Sequence, residues 1–155
     1  VITIKKSKAA DTRSASVKVT KEMLLESSKQ HISDVEQAME WFMFLMSVKA
    51  TKHDYTKLED IDQFHKDFEQ TQNTKCDFTK LPWYQKHIKE ERHHLDQYVP
   101  EDVNMFDILE RIADITMAGM GRNGNVYPDN LPPEVLERAY QNTITMLKNE
   151  VKVED

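Results

Sequence analysis

Five of the six histidines and two aspartates fall in a definite order along the chain: His31, His53-Asp54, His87, His93-His94 and Asp114. Imidazole nitrogen and carboxylate oxygen are ligands that suit divalent Mn, Fe, Ni and Zn. An aspartate directly after a histidine can bridge two ions while its neighbour binds one of them. The set therefore reads as a binuclear metal site, with His31, His53, Asp54, His87, His93, His94 and Asp114 as candidate ligands. A single histidine on a helix is far more often a surface or core residue. The ordered set carries the reading.

Helices must position these groups. Only three glycines occur, all between Gly119 and Gly124, and the prolines are Pro82, Pro100, Pro128, Pro132 and Pro133. Scarce breakers and many Glu, Lys, Leu, Met and Gln favour helix. Thr20 is a fitting N-cap for a first helix, in which His31, Val35, Ala38, Phe42 and Leu45 share a face. Leu58, Ile61, Phe64 and Phe68 form a second apolar stripe, and Pro82 suits the first turn of a helix through Trp83, His87 and Leu95. Pro100 is expected to open the next helix, with Val103, Phe106, Leu109, Ile112 and Ile115 facing inward. Pro132 and Pro133 start a last helix carrying Val135, Leu136, Ala139, Ile144 and Leu147. Val1-Ile2-Thr3-Ile4 is β-like but has no obvious partner. The expected fold is all-α, a single-domain bundle of about five to six helices over residues 20–150. A flexible basic arm, residues 1–19, is expected to precede it, with Lys5, Lys6, Lys8, Arg13 and Lys18 against Asp11.

On these elements His87 and His94 lie two helical turns apart and share a face, with His93 alongside. Asp107, Glu110 and Asp114 occupy successive turns of another helix. Asp114 is the ligand candidate because Ile112, Ala113 and Ile115 surround it, where a carboxylate is costly unless paired or metal-bound; Asp107 is the reserve. His31 poses a geometric demand. An unbroken helix would hold it about 33 Å from His53, so a shared metal requires a bend, placed around residues 44 to 48.

The 155 residues are 39% hydrophobic and 31% charged, with net charge −6. That fits a soluble globular protein and argues against a general nucleic-acid coat or a membrane-surface protein. The longest apolar stretch, around Trp41 to Met46, is too short to span a bilayer. Cys76 stands alone, so no intrachain disulfide can form. No basic stretch followed by an apolar one opens the given sequence, so no secretory leader and a cytoplasmic protein are expected.

The histidine and aspartate order resembles the HD superfamily of metal-dependent phosphohydrolases, in particular its binuclear subgroup found in cyclic-dinucleotide phosphodiesterases. His53-Asp54-Tyr55-Thr56-Lys57 is similar to that subgroup's His-Asp-x-Gly-Lys signature, with Thr56 in the glycine's place. His31-Ile32-Ser33-Asp34-Val35 is similar to its first His-x-x-x-Val helix. A closer resemblance is to a family of short phage and bacterial proteins of unknown function. That family shares the His-Asp-x-Ser/Thr-Lys box, the run from His87 to Arg92-His93-His94, and an ending with Leu136 and Asn142-Thr143. The similarity spans roughly residues 29 to 148. Many nucleotidases of the superfamily carry an acid a few residues after His-Asp; this chain has Lys57, so a mechanism using that acid is not expected.

The resemblance implies two ions (Mn, Fe, Ni or Zn) bridged by Asp54, and hydrolysis of a nucleotide or related phosphoester by a metal-activated water. Lys57 and Arg92, adjacent to ligands, and then Arg122 are the cations expected to meet phosphate. Asp54 and Lys57 are the candidate catalytic residues. Trp83 either stacks on a nucleobase or belongs to the core. The stretch from Gly119 to Asn125 is either a phosphate-binding loop or lid, or a helix C-cap and turn. Two other functions stay open: an HD-type di-iron oxygenase, and a non-catalytic phage or bacterial regulatory module that keeps the metal site. The expected partner is a small nucleotide or phosphoester, with no membrane and no nucleic acid; a homo-oligomer is allowed. The compartment would be the host cytoplasm if the chain is phage-encoded.

Overall fold

The computed structural model describes residues 1–6 and 18–154. In chain order the elements are β1 (Ile2–Lys5), α1 (Lys21–Lys52), α2 (Tyr55–Glu59), α3 (Ile61–Thr74), a 3₁₀ turn (Phe78–Lys80), α4 (Pro82–Glu90), α5 (Met105–Asn123), α6 (Pro133–Glu150) and β2 (Val151–Glu154). The architecture is all-α with one two-stranded sheet among the described residues. Among the described residues no helix is long and apolar enough to cross a membrane. Contacts sort the chain into two compact units: Val1–Ser47 with Ile144–Asp155, and Val48–Thr143.

In the first unit, Thr20 caps α1 as its side chain predicts, accepting from Met23 N–H at 3.2 Å through Oγ1. The helix then continues to Lys52. The reversal expected around residues 44 to 48 is absent, because no Gly or Pro interrupts the stretch and nothing local competes with helix propagation. The β-like opening does find a partner. Ile2 pairs with Val151 and Ile4 with Val153 in a parallel ladder, and Ile2 is buried. Of the basic arm expected over residues 1–19, Ile2–Lys5 is therefore a strand, and residues 7–17 lie outside the described residues.

The second unit is built around Leu95, Val103, Ile108, Val135 and Ala139, a buried cluster flanked by Val99, Met105 and Leu131. Each such aliphatic side chain larger than alanine contributes about 1.5–3 kcal/mol by leaving water. Pro82 and Pro133 occupy the first turns of α4 and α6 as expected. Pro100 does not open α5. That helix starts four residues later on Asn104, whose side chain accepts from Phe106 and Asp107 N–H while Asp107 reaches back to Asn104 N–H. This capping box satisfies donors that Pro100 could not reach. The buried face of α5 matches the apolar one expected only in part: Val103 and Phe106 are buried. Leu109 and Ile112 are exposed, whereas Asp107, Glu110 and Arg111 are buried. Leu136 and Ile144 on α6 are likewise exposed, while Val135 and Ala139 are buried.

The segment Gly119 to Asn125 is the last turn of α5 and its cap: Gly124 sits at φ 75° and its N–H reaches Met120 O at 3.1 Å. Gly119 is needed for a different reason. A Cβ there would lie 2.3 Å from Asn125 O and 2.7 Å from Tyr127 N, both backbone atoms of the returning chain. Gly121 has open space at that position. Gly119→Ala is therefore expected to lower stability by about 2 kcal/mol. Gly121→Ala should raise it by roughly 0.5–1 kcal/mol through helix propensity. Urea melts of the two variants check the contrast; equal effects would contradict the close approach.

Candidate metal centre

The site lies within the second unit, at the C-terminal end of α1, the α2 box, the exit of α4 and the first half of α5. His53 ends α1. Asp54 then turns the chain with φ 55°, a left-handed conformation that Asp tolerates better than most residues. Asp54 is the N-cap of α2, yet its side chain makes no cap hydrogen bond. It turns instead towards the histidines.

The helix expected to carry both His87 and His94 stops at Glu90. A turn takes over, and three ties hold it. Glu91 accepts from Thr56 N–H and Oγ1–H at 3.0 and 2.7 Å. Arg92 forks onto Asp107 at 3.0 and 2.9 Å and onto Asp102 at 3.0 Å. Arg111 donates to His93 O at 3.3 Å while its guanidinium is anchored by Asp96 and Asp129. The turn folds His94 back, so its Nε2 meets His87 Nε2 at 2.8 Å. Helical periodicity is not what brings these two rings together.

Three groups of side chains have donor atoms close enough for a cation: His53, Asp54, His93 and Asp114; Asp54, His87 and His94; and Glu91, His93 and Glu110. Asp54 belongs to the first two. Its Oδ1 lies 3.5 Å from His87 Nε2 and 3.6 Å from His93 Nε2, and its Oδ2 lies 3.4 Å from His53 Nε2. Asp114 adds Oδ1 at 3.6 Å from His53 Nε2 and Oδ2 at 3.8 Å from His93 Nε2. These separations are long for hydrogen bonds. Donors on one ion with bonds of about 2.1 Å lie roughly 3.0–3.4 Å apart, so small adjustments would accommodate a cation. Asp54 Oδ1 and His93 Nε2 are buried with no hydrogen-bond partner. Orphaned buried polar atoms are rare and costly, and here a cation fits them.

Ring nitrogens are oriented to match. The Thr56 hydroxyl has one proton, and Glu91 Oε1 can only accept it; Thr56 Oγ1 therefore accepts from His87 Nδ1–H at 2.6 Å. That leaves the His87 lone pair on Nε2. Glu110 Oε1 stands 3.1 Å from His53 Nδ1 and 3.2 Å from His93 Nδ1, and the aligned contact places a proton on His53 Nδ1. His93 Nδ1 is at ion-pair distance without hydrogen-bond alignment. His53, His87 and His93 thus all direct Nε2 towards Asp54, each with its other nitrogen facing an oxygen, the usual support for a metal-binding imidazole.

The electrostatics agree. Burial would raise Glu110, but the contacts with His93, Lys49 and His53 outweigh it and hold the carboxyl at about 2. Asp54 is also held below its ordinary value: burial opposes this, and Lys57 with His53 and His93 prevails. Burial, then the charge of the neighbouring imidazole, pushes His87 down to about 3 and His94 down to about 4. Both rings stay neutral at pH 7, as metal ligation requires. The sign for stability follows. Below the unfolded histidine value near 6.5 the unfolded chain binds protons that the folded chain refuses. Stability of the metal-free protein should fall as pH drops from about 6.5 towards 4, by up to about 1.4 kcal/mol per pH unit for His87 alone. Urea midpoints between pH 7 and 5 test this, and an unchanged midpoint would contradict it.

Among the other sequence candidates, His31 is exposed on the part of α1 that belongs to the first unit and is in none of the three groups. Lys57 pairs with Asp54 Oδ2. Arg92 is already committed to Asp107 and Asp102. Arg122 is exposed, its guanidinium 6.0 Å from the Tyr127 ring centroid. Trp83 is 3% exposed, sandwiched between Phe64 at 3.8 Å and His87 at 4.6 Å; it props the His87 ring and has no free face for a base. Asp107, the reserve ligand, is instead a buried hub for Lys49, Arg92 and the α5 cap. Sequence reasoning missed Thr56, Glu91 and Lys49 as supports. Glu110 had a signal in the stripe with Asp107 and Asp114. No protein-family profile, curated protein or solved structure matches the chain.

Proposed function

We propose that the protein is a metal-dependent phosphohydrolase acting on a nucleotide or related phosphoester. The carrying observation is the convergence of His53, His87 and His93 Nε2 on Asp54, whose Oδ1 is buried and otherwise unpartnered. His53, Asp54, His93 and Asp114 would hold one ion and Asp54, His87 and His94 a second, from among Mn, Fe, Ni and Zn. A cation there supplies a nucleophilic water at neutral pH and positive charge towards phosphoryl oxygens. The chain's own residues do the rest. Asp54 bridges the two ligand groups, and Glu110 and Thr56 hold the rings in the ligating tautomer. Lys57, about one-third exposed beside Asp54, is the cation able to turn to a substrate phosphate. Arg92 is not assigned that task, since its guanidinium is consumed by two aspartates.

The test is elemental analysis of the purified protein, thermal shift with each of the four metals, and phosphate release from a nucleotide and phosphoester panel. Binding of a transition metal with turnover of at least one phosphoester is expected. Failure to bind any of the metals would sink the reading. Iron with visible absorbance and oxygen consumption, without phosphate release, would replace it with an oxygenase. Metal and tight nucleotide binding without turnover would replace it with a regulatory module.

A further inference from the structure

The face of α1 that the first unit leaves open is not polar. Leu25, Ile32, Val35 and Met39, with Ser28 between the first two, recur there at alternating spacings of three and four, and the half-buried Phe42 and Met46 continue the spacing. That is an a/d heptad spacing over about three heptads, with the polar Ser28 at one d position and the first two heptads exposed. Leu25, Ile32 and Met39 are 51%, 65% and 53% exposed, and Val35 is exposed as well. A helix of 32 residues is nearly three times the average length of about 11–12, and a stripe of this kind on its outer face is the surface of a coiled coil with one strand showing.

The flanking charges select the occupant. Lys29 and Glu36 are the charged residues at the e positions beside the stripe. In a parallel pair Glu36 would meet His31 of the second copy and Lys29 would meet Leu24, leaving the lysine without an acid across the seam. In an antiparallel pair Ile32 packs against Val35 of the second copy and Ser28 against Met39. Lys29 then stands near Glu36 of the second copy, and the two-fold axis repeats that ion pair. The small Ser28 sits opposite the flexible Met39, so the layers alternate in size. Lys29 is exposed and bonded to Glu26, itself exposed, at 3.0 Å, a contact that costs little to exchange. We infer that two copies of this chain associate through an antiparallel coiled coil of α1, centred between Ile32 and Val35. The inference rests on the first unit and is independent of the metal reading.

Sedimentation velocity on the full chain at tens of micromolar tests it, with far-ultraviolet circular dichroism as the check on folding. The wild type is expected at twice the monomer mass. Ile32→Glu and Met39→Lys, both on exposed positions, should be monomeric with unchanged helicity. Lys29→Glu should weaken association at least about tenfold, and Lys29→Glu combined with Glu36→Lys should restore it. A wild type that stays monomeric, or an Ile32→Glu variant that stays dimeric, overturns the inference. Failure of the charge exchange to restore a dimer overturns the antiparallel register.

Discussion

Asp54→Asn is expected to remove the metal-dependent rise in melting temperature and to lower phosphoester hydrolysis by about 1,000-fold or more, while leaving the metal-free fold in place. Each part follows from a different property of the residue. Asn is nearly isosteric and tolerates the left-handed φ of 55° that Asp54 adopts, so the turn from α1 into α2 survives. The Asp54 side chain caps nothing in α2, so helix initiation loses little. What disappears is the charge shared by the His53–His93–Asp114 group and the His87–His94 group. An amide cannot bridge two cations as an anionic carboxylate can, and both groups lose an oxygen donor together. The ion pair with Lys57 goes too, which also separates this variant from a simple loss of substrate affinity. Titration with Mn and Zn followed by differential scanning fluorimetry reads the first effect, and phosphate release reads the second. If Asp54→Asn binds both ions as the wild type does, Asp54 is not the bridge.

The sequence held much of this centre in plain view, and the reasons are specific. His53, Asp54, His87, His93, His94 and Asp114 all come within two overlapping groups, because residue type and order survive whatever local structure carries them. The local structure itself was less legible. His93 and His94 leave the helix at Glu91 because three long-range ties at Glu91, Arg92 and His93 O outweigh helix propagation. No pattern within the segment announces those ties. His31 shows the reverse. There the residues between 32 and 52 contain no breaker, and the helix that propensity favours runs straight through. The α5 face is legible only in part: hydrophobic periodicity places Phe106 inward, where it is buried, but it also assigns Leu109 and Ile112 inward, and those are exposed while Asp107, Glu110 and Arg111 are buried beside Ile108. These charges are tolerated inside because each is paired, Asp107 with Lys49 and Arg92, Glu110 with Lys49, and Arg111 with Asp96 and Asp129. The strand pairing of Ile2–Lys5 with Val151–Glu154 joins the two ends of the described chain, which no local window can reveal. The β-like Val1-Ile2-Thr3-Ile4 and the alternation in Val151-Lys152-Val153-Glu154 are its local signals.

Thr56→Val should weaken metal binding by about 10–100-fold and destabilise the metal-free protein by roughly 2–4 kcal/mol, although the substitution adds no bulk. Thr56 is almost fully buried, and its hydroxyl sits between a group that can only accept and one that must donate. Glu91 Oε1 takes the Thr56 proton at 2.7 Å, and Thr56 Oγ1 takes the His87 Nδ1 proton at 2.6 Å. Valine removes both links. The His87 Nδ1–H is then buried without an acceptor, and Glu91 keeps only the Thr56 backbone N–H bond at 3.0 Å, which the substitution cannot abolish. His87 regains a choice of tautomer, and the form with its proton on Nε2 cannot ligate beside Asp54. Thr56→Ser keeps the hydroxyl and loses only a methyl, so its metal affinity should stay within a few-fold of wild type. Competition with a chromophoric chelator gives the affinities, and urea melts give the stability. Equal metal affinity in the Val and Ser variants would show that His87 is oriented by packing against Trp83 rather than by this relay. A Val variant that loses stability without losing affinity points the same way, because the hydroxyl would then serve Glu91 and the turn that carries His93, not the ring.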